Sequence, residues 1–116
     1  MLTEDEMTAL KVALLARLAE IDELDRTTGD SRKPVELDQQ SVGRLSRMDA
    51  MQMQAMALAA GERRAQERRR VLAALHRFDA GEYGYCIRCG EEIAAARLRL
   101  DPTVPQCLPC AKGGEQ

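Results

Sequence analysis

The arrangement of four cysteines constrains this chain more than any other feature of its sequence. They form two pairs, Cys86-x2-Cys89 and Cys107-x2-Cys110, with 17 residues between the pairs. Each pair can bring two thiolates to one ion, and this two-pair spacing is a strong signature of a tetrahedral zinc site. Four sulfurs leave no open position for water or substrate, so we predict one structural zinc ion rather than a catalytic one.

Other cysteine chemistries fit the sequence less well. A thioredoxin-like redox pair needs a surrounding strand–helix–strand unit, whereas the residues before Cys86 predict a long helix. A nucleophilic cysteine needs a partner base, and the only histidine, His76, falls on that helix, where we expect a surface position. Gly84 and Gly90 flank the first pair, where tight turns favour residues that tolerate positive φ. We expect nearby basic residues to offset the negative charge of four thiolates: Arg88, Arg97, Arg99 and Lys112.

The remaining composition favours helices over a thick globular core. The chain has 116 residues with no Trp, one Phe and two Tyr, and Ala, Leu and Met carry most of its 45% hydrophobic content. Aromatic rings normally dominate core burial, whereas Ala and Leu have high helix propensity. Helix-on-helix packing is therefore the expected way to bury apolar surface.

Apolar residues recur every three or four positions over about 3–27 and again over about 42–78, which predicts two amphipathic helices. Thr3 precedes three acidic residues and is the predicted cap of the first helix. Gly29 and Pro34 mark a connection over about 28–41. We predict an all-α fold, an antiparallel coiled-coil hairpin over 1–78 followed by a four-cysteine zinc-finger module over 79–116. In this hairpin Leu24 is expected to face Leu45.

Charge and hydropathy limit the classes of partner and the location. The formal net charge is only -2, which gives no overall attraction to nucleic acid or anionic lipid. The first ten residues, "MLTEDEMTAL", lack the basic-then-apolar order of a secretory signal. Apolar runs are too short to span a bilayer. We expect a cytoplasmic protein with no membrane partner, in a reducing compartment where a structural disulfide framework is rare.

The cysteine segment resembles a known family. The stretch "GEYGYCIRCGEEI", followed by Arg97, Leu98, Pro102 and "CLPC", is similar to the DksA/TraR family of bacterial transcription factors. The resemblance is specific over about residues 78–111, and the hairpin matches in architecture. It implies a protein without enzymatic activity that binds bacterial RNA polymerase rather than DNA. It also implies insertion of the coiled-coil tip into the secondary channel of the polymerase.

The hairpin tip differs from the family pattern. The family's acidic tip, Asp-x-x-Asp-x-Ala, falls on Gly43, Ser46 and Met48, while Asp38 and Asp49 flank it and are candidate replacements. These five residues form our predicted tip contact. A simpler alternative is that Ser41 only caps the second helix. Gly43 is costly near a helix start, which instead favours a required backbone shape at the tip.

The alarmone contacts differ too. The family's cations for guanosine tetraphosphate fall on Arg70, Asp101 and Ala111, so only the first is retained. Losing two cations predicts a weak or absent alarmone response, because charged hydrogen bonds supply most of the attraction to phosphate.

Two further stretches carry competing interpretations. "ERRAQERRR", residues 62–70, is either a solvated helix face with ion pairs or a docking surface formed by Arg63, Arg64 and Arg70. The latter would also suit a zinc-ribbon adaptor that binds another protein or nucleic acid, and a zinc–thiol redox switch is a third possibility. Four methionines near the tip are expected to pack the hairpin, although Met also adapts to binding surfaces: Met48, Met51, Met53 and Met56.

Overall fold

Four α-helices make up the secondary structure of the part that the computed structural model describes, residues 2–28 and 44–113, with side chains from 46 onward in the second range. They are α1 (Glu4–Thr27), α2 (Arg44–Asp79), α3 (Ala95–Leu100) and α4 (Leu108–Gly113). No strand occurs in these ranges, so the predicted all-α class is confirmed. Asp38, Ser41 and Gly43 lie outside the described residues. Within them, no helix is both long enough and apolar enough to cross a membrane.

The N-terminus of α1 is fixed by a reciprocal cap. The Glu6 amide donates to the Thr3 hydroxyl at 3.1 Å, and the Thr3 amide donates to the Glu6 carboxylate at 3.3 Å. This capping box satisfies two backbone donors that a helix start leaves without an intrahelical acceptor. At the other end, the Thr28 amide donates to the Leu24 carbonyl at 2.9 Å. The predicted role of Thr3 is confirmed.

The chain divides into two compact units. One, the zinc-side unit, joins residues 1–19 to 68–116, and the other, the helical unit, comprises residues 20–67. The core of the zinc-side unit contains these buried apolar side chains: Leu14, Val71, Ala74, Tyr83, Ile93, Leu98 and Val104. In the helical unit Ile21 is fully buried. The division of the chain into a hairpin over 1–78 and a zinc-finger module over 79–116 stays a prediction.

Long-range ion pairs establish the register of the hairpin. In the zinc-side unit, Lys11 Nζ lies 4.0 Å from Asp79 Oδ1. In the helical unit, Arg64 Nε lies 2.8 Å from Asp25 Oδ1. Each pair joins α1 to α2 in the antiparallel sense. The expectation that Leu24 faces Leu45 is therefore wrong, because the end of α1 lies beside the middle of α2. A spacing of three or four residues repeats along both helices, so it defines the buried face but not the register.

Small residues, not methionines, line the inner side of α2 in the helical unit. Gly61 is buried and Ala57 and Ala60 are half-buried, whereas Met48, Met51, Met53 and Met56 are all exposed. The expectation that these methionines pack the hairpin is therefore wrong. Small side chains let two helix backbones approach closely, which leaves the larger side chains on the outside.

Candidate metal centre

The fold brings all four cysteines together. Their Sγ atoms all lie within 4.8 Å of one another, and Cys89 Sγ lies 3.6 Å from Cys107 Sγ. A tetrahedron with zinc–sulfur bonds of about 2.3 Å has sulfur–sulfur edges of roughly 3.8 Å. All four thiols are free rather than paired in disulfides. Donor type, number and separation therefore fit one structural zinc ion, as the sequence predicts.

A glycine-dependent turn positions the first pair. Gly84 and Gly90 have φ of 92° and 77°, values that side chains with a Cβ rarely adopt, and their predicted role is confirmed. Around this turn the Cys86 amide donates to the Glu91 carbonyl at 2.8 Å, and the Gly90 amide donates to the Cys86 carbonyl at 3.0 Å. These bonds fold the chain back on itself between the two cysteines. Both sulfurs of the first pair are thereby directed to one point.

The second pair is held by the start of α4 and by a link to the first pair. Cys107 is buried immediately before α4, and its carbonyl accepts a hydrogen bond from the Ala111 amide at 3.0 Å. The Ile87 amide donates to the Pro105 carbonyl at 2.9 Å, which ties the loop of the first pair to the segment entering the second. The segment between the two cysteine pairs therefore helps to hold them together through this hydrogen bond.

The local polar environment stabilises the thiolate form of some of the four cysteines more than that of others. Burial raises the pKa of Cys86, but the backbone N–H groups of Cys89, Cys107 and Arg88 outweigh it and lower that pKa to about 6. Hydrogen bonding with the thiols of Cys107, Cys86 and Cys89 raises the pKa of Cys110 to about 12. Four sulfurs at this separation resist simultaneous ionisation. A divalent cation supplies the positive charge that makes all four thiolates favourable.

An aromatic pair and a buried tyrosine support the loop of the first cysteine pair. The rings of Phe78 and Tyr83 stack with their centroids 3.8 Å apart. The Tyr83 hydroxyl donates to the Pro102 carbonyl at 2.8 Å, which links the loop to the segment after α3. Burial raises the pKa of Tyr83 to about 12, so this hydroxyl stays a donor at neutral pH. Two of the three aromatic residues in the chain thus stack on each other shortly before Cys86 in the sequence.

The arginines near the site have separate roles. Arg97 Nε donates to the Gln106 carbonyl at 3.0 Å, next to Cys107, whereas Arg99 forms an ion pair with Glu6 at 2.7 Å. Arg99 therefore joins α3 to α1. Arg77, which donates to the Thr103 carbonyl at 3.2 Å, was not predicted from the sequence. Arg77 is a basic residue in the last turn of a helix. Such residues are common, so this feature could not have identified Arg77 as important.

Predicted partner-binding residues have mixed environments. Ser46, Met48 and Asp49 are exposed near the start of α2. Arg63 and Arg70 are also exposed. Arg64 is different, because it binds Asp25 and also donates to the Thr28 hydroxyl at 2.9 Å. The Arg64 side chain is therefore held by contacts within the helical unit. The sequence pattern alone could not distinguish Arg64 from the adjacent Arg63.

His76 and Asp101 also have defined positions in the structure. His76 is exposed on α2, as predicted. Asp101, at the position of a lost alarmone cation, accepts hydrogen bonds from the Thr103 amide and hydroxyl at 3.0 and 2.7 Å. Its carboxylate therefore has a structural role in the turn after α3.

Comparisons with known proteins agree with this site and fold. Residues 81–116 match the prokaryotic dksA/traR C4-type zinc-finger family. A stretch of 42 residues, 36% of this chain and 29% of the relative, is 40% identical to the RNA polymerase-binding transcription factor DksA of Haemophilus influenzae. A similar stretch of 43 residues is 44% identical to an uncharacterized protein of Aquifex aeolicus, covering 37% of this chain and 30% of that protein.

The structural similarity extends over the hairpin. The transcription factor DksA2 from Pseudomonas aeruginosa matches with a TM-score of 0.76 over 97% of this chain and 84% of that one, at 22% sequence identity. At this identity the likeness establishes the fold. The matched segments span less than a third of the curated relatives, at 29% and 30% of their lengths. The chain is thus similar to the DksA/TraR zinc-finger family over residues 81–116, and it shares the fold of DksA2 over nearly its whole length.

Proposed function

We propose that this chain binds bacterial RNA polymerase in the cytoplasm and regulates transcription without recognising DNA directly. The observation that carries the proposal is the 40% identity, over 42 residues of this chain, to a protein named as an RNA polymerase-binding transcription factor. The fold shared with DksA2 is a second support. The family resemblance implies that the tip of such a hairpin enters the secondary channel, and we extend that expectation to this chain. Slight overall acidity offers no general attraction to DNA phosphates.

The proposed contact has two parts. Ser46, Met48 and Asp49, with Asp38 and Gly43 from outside the described residues, form the tip contact. Arg63 and Arg70 form a docking face along α2, where both are exposed. Arg64 is left out of this face because its guanidinium is already bound by Asp25.

We also propose that the protein performs no catalytic step. Four thiolates complete a tetrahedral shell, so the zinc ion has no position for a substrate. Its role is to fix the base of the hairpin. The alarmone response is expected to be weak, since the position before Pro102 carries the Asp101 carboxylate, which repels phosphate.

The test is competition for purified bacterial RNA polymerase between this zinc-loaded protein and a factor known to occupy the secondary channel. Mutual exclusion supports the proposal. Asp49→Asn and Arg63→Ala should each weaken binding several-fold, consistent with a lost charged contact. Arg69→Ala is the matched control, because Arg69 is exposed on the same helix and lies outside the proposed face.

Two outcomes would overturn the proposal. One is absence of binding by protein whose zinc content has been verified. The other is salt-sensitive binding to bare DNA with no affinity for polymerase, which would support the adaptor interpretation instead.

A further inference from the structure

An apolar face on α2 is exposed in the helical unit. It consists of Met48, Met51, Ala55, Met56, Leu58 and Ala59, and we call it the methionine face. At 3.6 residues per turn these residues fall within an arc of about 160°. Its three methionines are between 57% and 64% exposed, and Leu58 is 46% exposed. No charged residue occurs between Asp49 and Glu62 in the sequence. The face is therefore a continuous uncharged surface about three turns long.

The methionine face points away from the side of α2 that the hairpin buries. Gly61 is buried and Ala50, Ala57 and Ala60 are half-buried, and helical periodicity places these residues on the opposite side. Met53, 70% exposed, lies outside the arc of the face. The face is thus separate from the surface that packs the hairpin.

The exposed apolar area is large enough to require a functional explanation. The side chains of the face expose on the order of 500 Å², which is at the upper end for the largest patch on a soluble monomer. Two such faces together bury about 1,000 Å², the lower limit for a specific interface between proteins. The face therefore fits a weak, reversible contact with a second face of the same size.

Charged residues at the ends of the face are arranged in a self-complementary way. By helical periodicity, Arg47 and Glu62 lie along one edge, and Asp49 and Arg63 lie along the other. Along each edge the two charges are opposite but lie about 20 Å apart, too far to pair within one chain. All four side chains are exposed, and none has an ion-pair partner in the part of the chain that the structure describes.

We propose that two copies of this chain associate through the methionine face, with their α2 helices antiparallel. A two-fold axis near residue 55 brings each edge against the same edge of the second copy with its ends reversed. Arg47 of each copy then meets Glu62 of the other, and Asp49 meets Arg63. Both charge pairs form twice, at the rim of an apolar interface.

The antiparallel arrangement also suits the sizes of the side chains. It places the large Met51 against Leu58 and the small Ala59 of the second copy, so large and small groups interdigitate. A parallel pair would set Met51 against Met51 and Ala55 against Ala55, which crowds one level and leaves a gap at the next. This association does not depend on polymerase binding.

Sedimentation equilibrium of the zinc-loaded full chain, from about 10 to about 500 µM, tests the proposal in the range expected for an interface of this size. A reversible dimer is expected. Met51→Lys should raise its dissociation constant at least ~10-fold, since it puts a charge into the centre of both faces. Met53→Lys is the matched control and should change it less than ~2-fold, because Met53 lies off the face.

A charge exchange tests the orientation. Arg47→Glu alone and Glu62→Arg alone should each weaken the dimer, and the double variant should restore it, because the antiparallel pair is re-formed with its signs reversed. Three results would overturn the proposal: a monomer at every concentration, equal effects of Met51→Lys and Met53→Lys, or failure of the double variant to restore association. A monomer would leave the face to a different partner, which includes another segment of the same chain.

Discussion

The two units of the chain use opposite means to stay folded. The zinc-side unit combines its four cysteines with most of the buried apolar side chains, a stacked aromatic pair and hydrogen bonds between distant segments. The helical unit buries Ile21 and relies on small residues and a part-buried ion pair, while its large apolar side chains are exposed. Buried apolar side chains are therefore concentrated in the zinc-side unit, whereas exposed large apolar side chains occur in both units and in the helical unit are mostly methionines.

This difference assigns the structural role to the zinc-side unit and the proposed binding role to the helical unit. A region that must contact other molecules benefits from exposed apolar and charged side chains, but such side chains contribute little to its own folding. The zinc-side unit can supply the stability that the helical unit lacks. We therefore expect the loss of stability to decrease in a fixed order. It should be largest on removal of zinc, smaller for a core ring, smaller again for the hairpin ion pair, and smallest for a surface ion pair.

Loss of zinc should have the largest effect. Structural zinc sites contribute on the order of 10 kcal/mol of apparent binding free energy, which is comparable with the whole stability of a small domain. We expect Cys107→Ser, or chelation of the wild type, to abolish the near-ultraviolet circular dichroism of the stacked Phe78 and Tyr83. Adding zinc should restore the chelated wild type but not the variant.

The matched control for zinc loss is Leu108→Ser, which changes the next residue, an exposed side chain. It should retain zinc and its circular dichroism. Hydrogen exchange then sharpens the comparison between the units. Full retention of amide protection in the helical unit after chelation would show that this unit does not draw stability from the zinc-side unit, and the division of roles would be wrong.

Removing the core ring should have the next largest effect. Tyr83 is 3% exposed, so Tyr83→Ala should lower the free energy of unfolding by about 3–5 kcal/mol, the usual cost of deleting a buried aromatic side chain. Tyr83→Phe keeps the ring but removes the donor to the Pro102 carbonyl, at a cost of about 1 kcal/mol. Urea unfolding of the zinc-loaded proteins measures both.

Tyr85→Ala is the control for Tyr83→Ala, because Tyr85 is exposed and only two residues away. Its cost should stay below about 1 kcal/mol. If the two alanine variants were equally destabilised, the buried ring would not be a principal support of the zinc-side unit.

The zinc site was predictable from sequence because its determinants are local. Two cysteines separated by two residues, with glycines that adopt positive φ, specify half of the site without reference to distant contacts. The register of the hairpin was not predictable, because the same helical spacing permits several alignments and Asp25 and Arg64 are far apart in sequence. The exposure of Met51 was missed for a related reason. A hydrophobic pattern identifies apolar positions, but here alanine and glycine provide the closer helix packing.

Breaking the hairpin ion pair should have a moderate effect confined to the helical unit. The Arg64 and Asp25 side chains are 15% and 29% exposed, so the pair is partly shielded from water. Arg64→Ala should cost about 1–2 kcal/mol, more than an exposed pair, because it removes a charged hydrogen bond from a part-buried carboxylate. Hydrogen exchange of the amides near Asp25 reports the local change.

Arg63→Ala is the control for this pair, since Arg63 is adjacent and exposed. Its effect on stability should be within about 0.5 kcal/mol. A double-mutant cycle with Asp25→Ala should give a coupling of about 1 kcal/mol with Arg64 and none with Arg63. In polymerase binding the order of the two effects should be reversed. Arg63→Ala should weaken binding more than Arg64→Ala, because Arg63 carries the proposed contact.

The surface pair between Glu6 and Arg99 should have the smallest effect, visible only as a pH dependence. The hydrogen bond that Arg99 donates to the Glu6 carboxylate lowers the pKa of Glu6 below its usual 4.5, and the hydrogen bond from the Thr3 amide lowers it further. A carboxyl whose pKa is lower in the folded state stabilises the fold above its unfolded pKa, and this contribution is lost as pH falls through the folded pKa.

Wild type should therefore exceed Glu6→Gln in thermal midpoint at neutral pH, and the two should converge under acid. Because acid also protonates the zinc thiolates in both proteins, only their difference reports Glu6. A difference that is constant with pH would mean that Glu6 acts through its cap on α1, a role that an amide shares in part, and not through its charge.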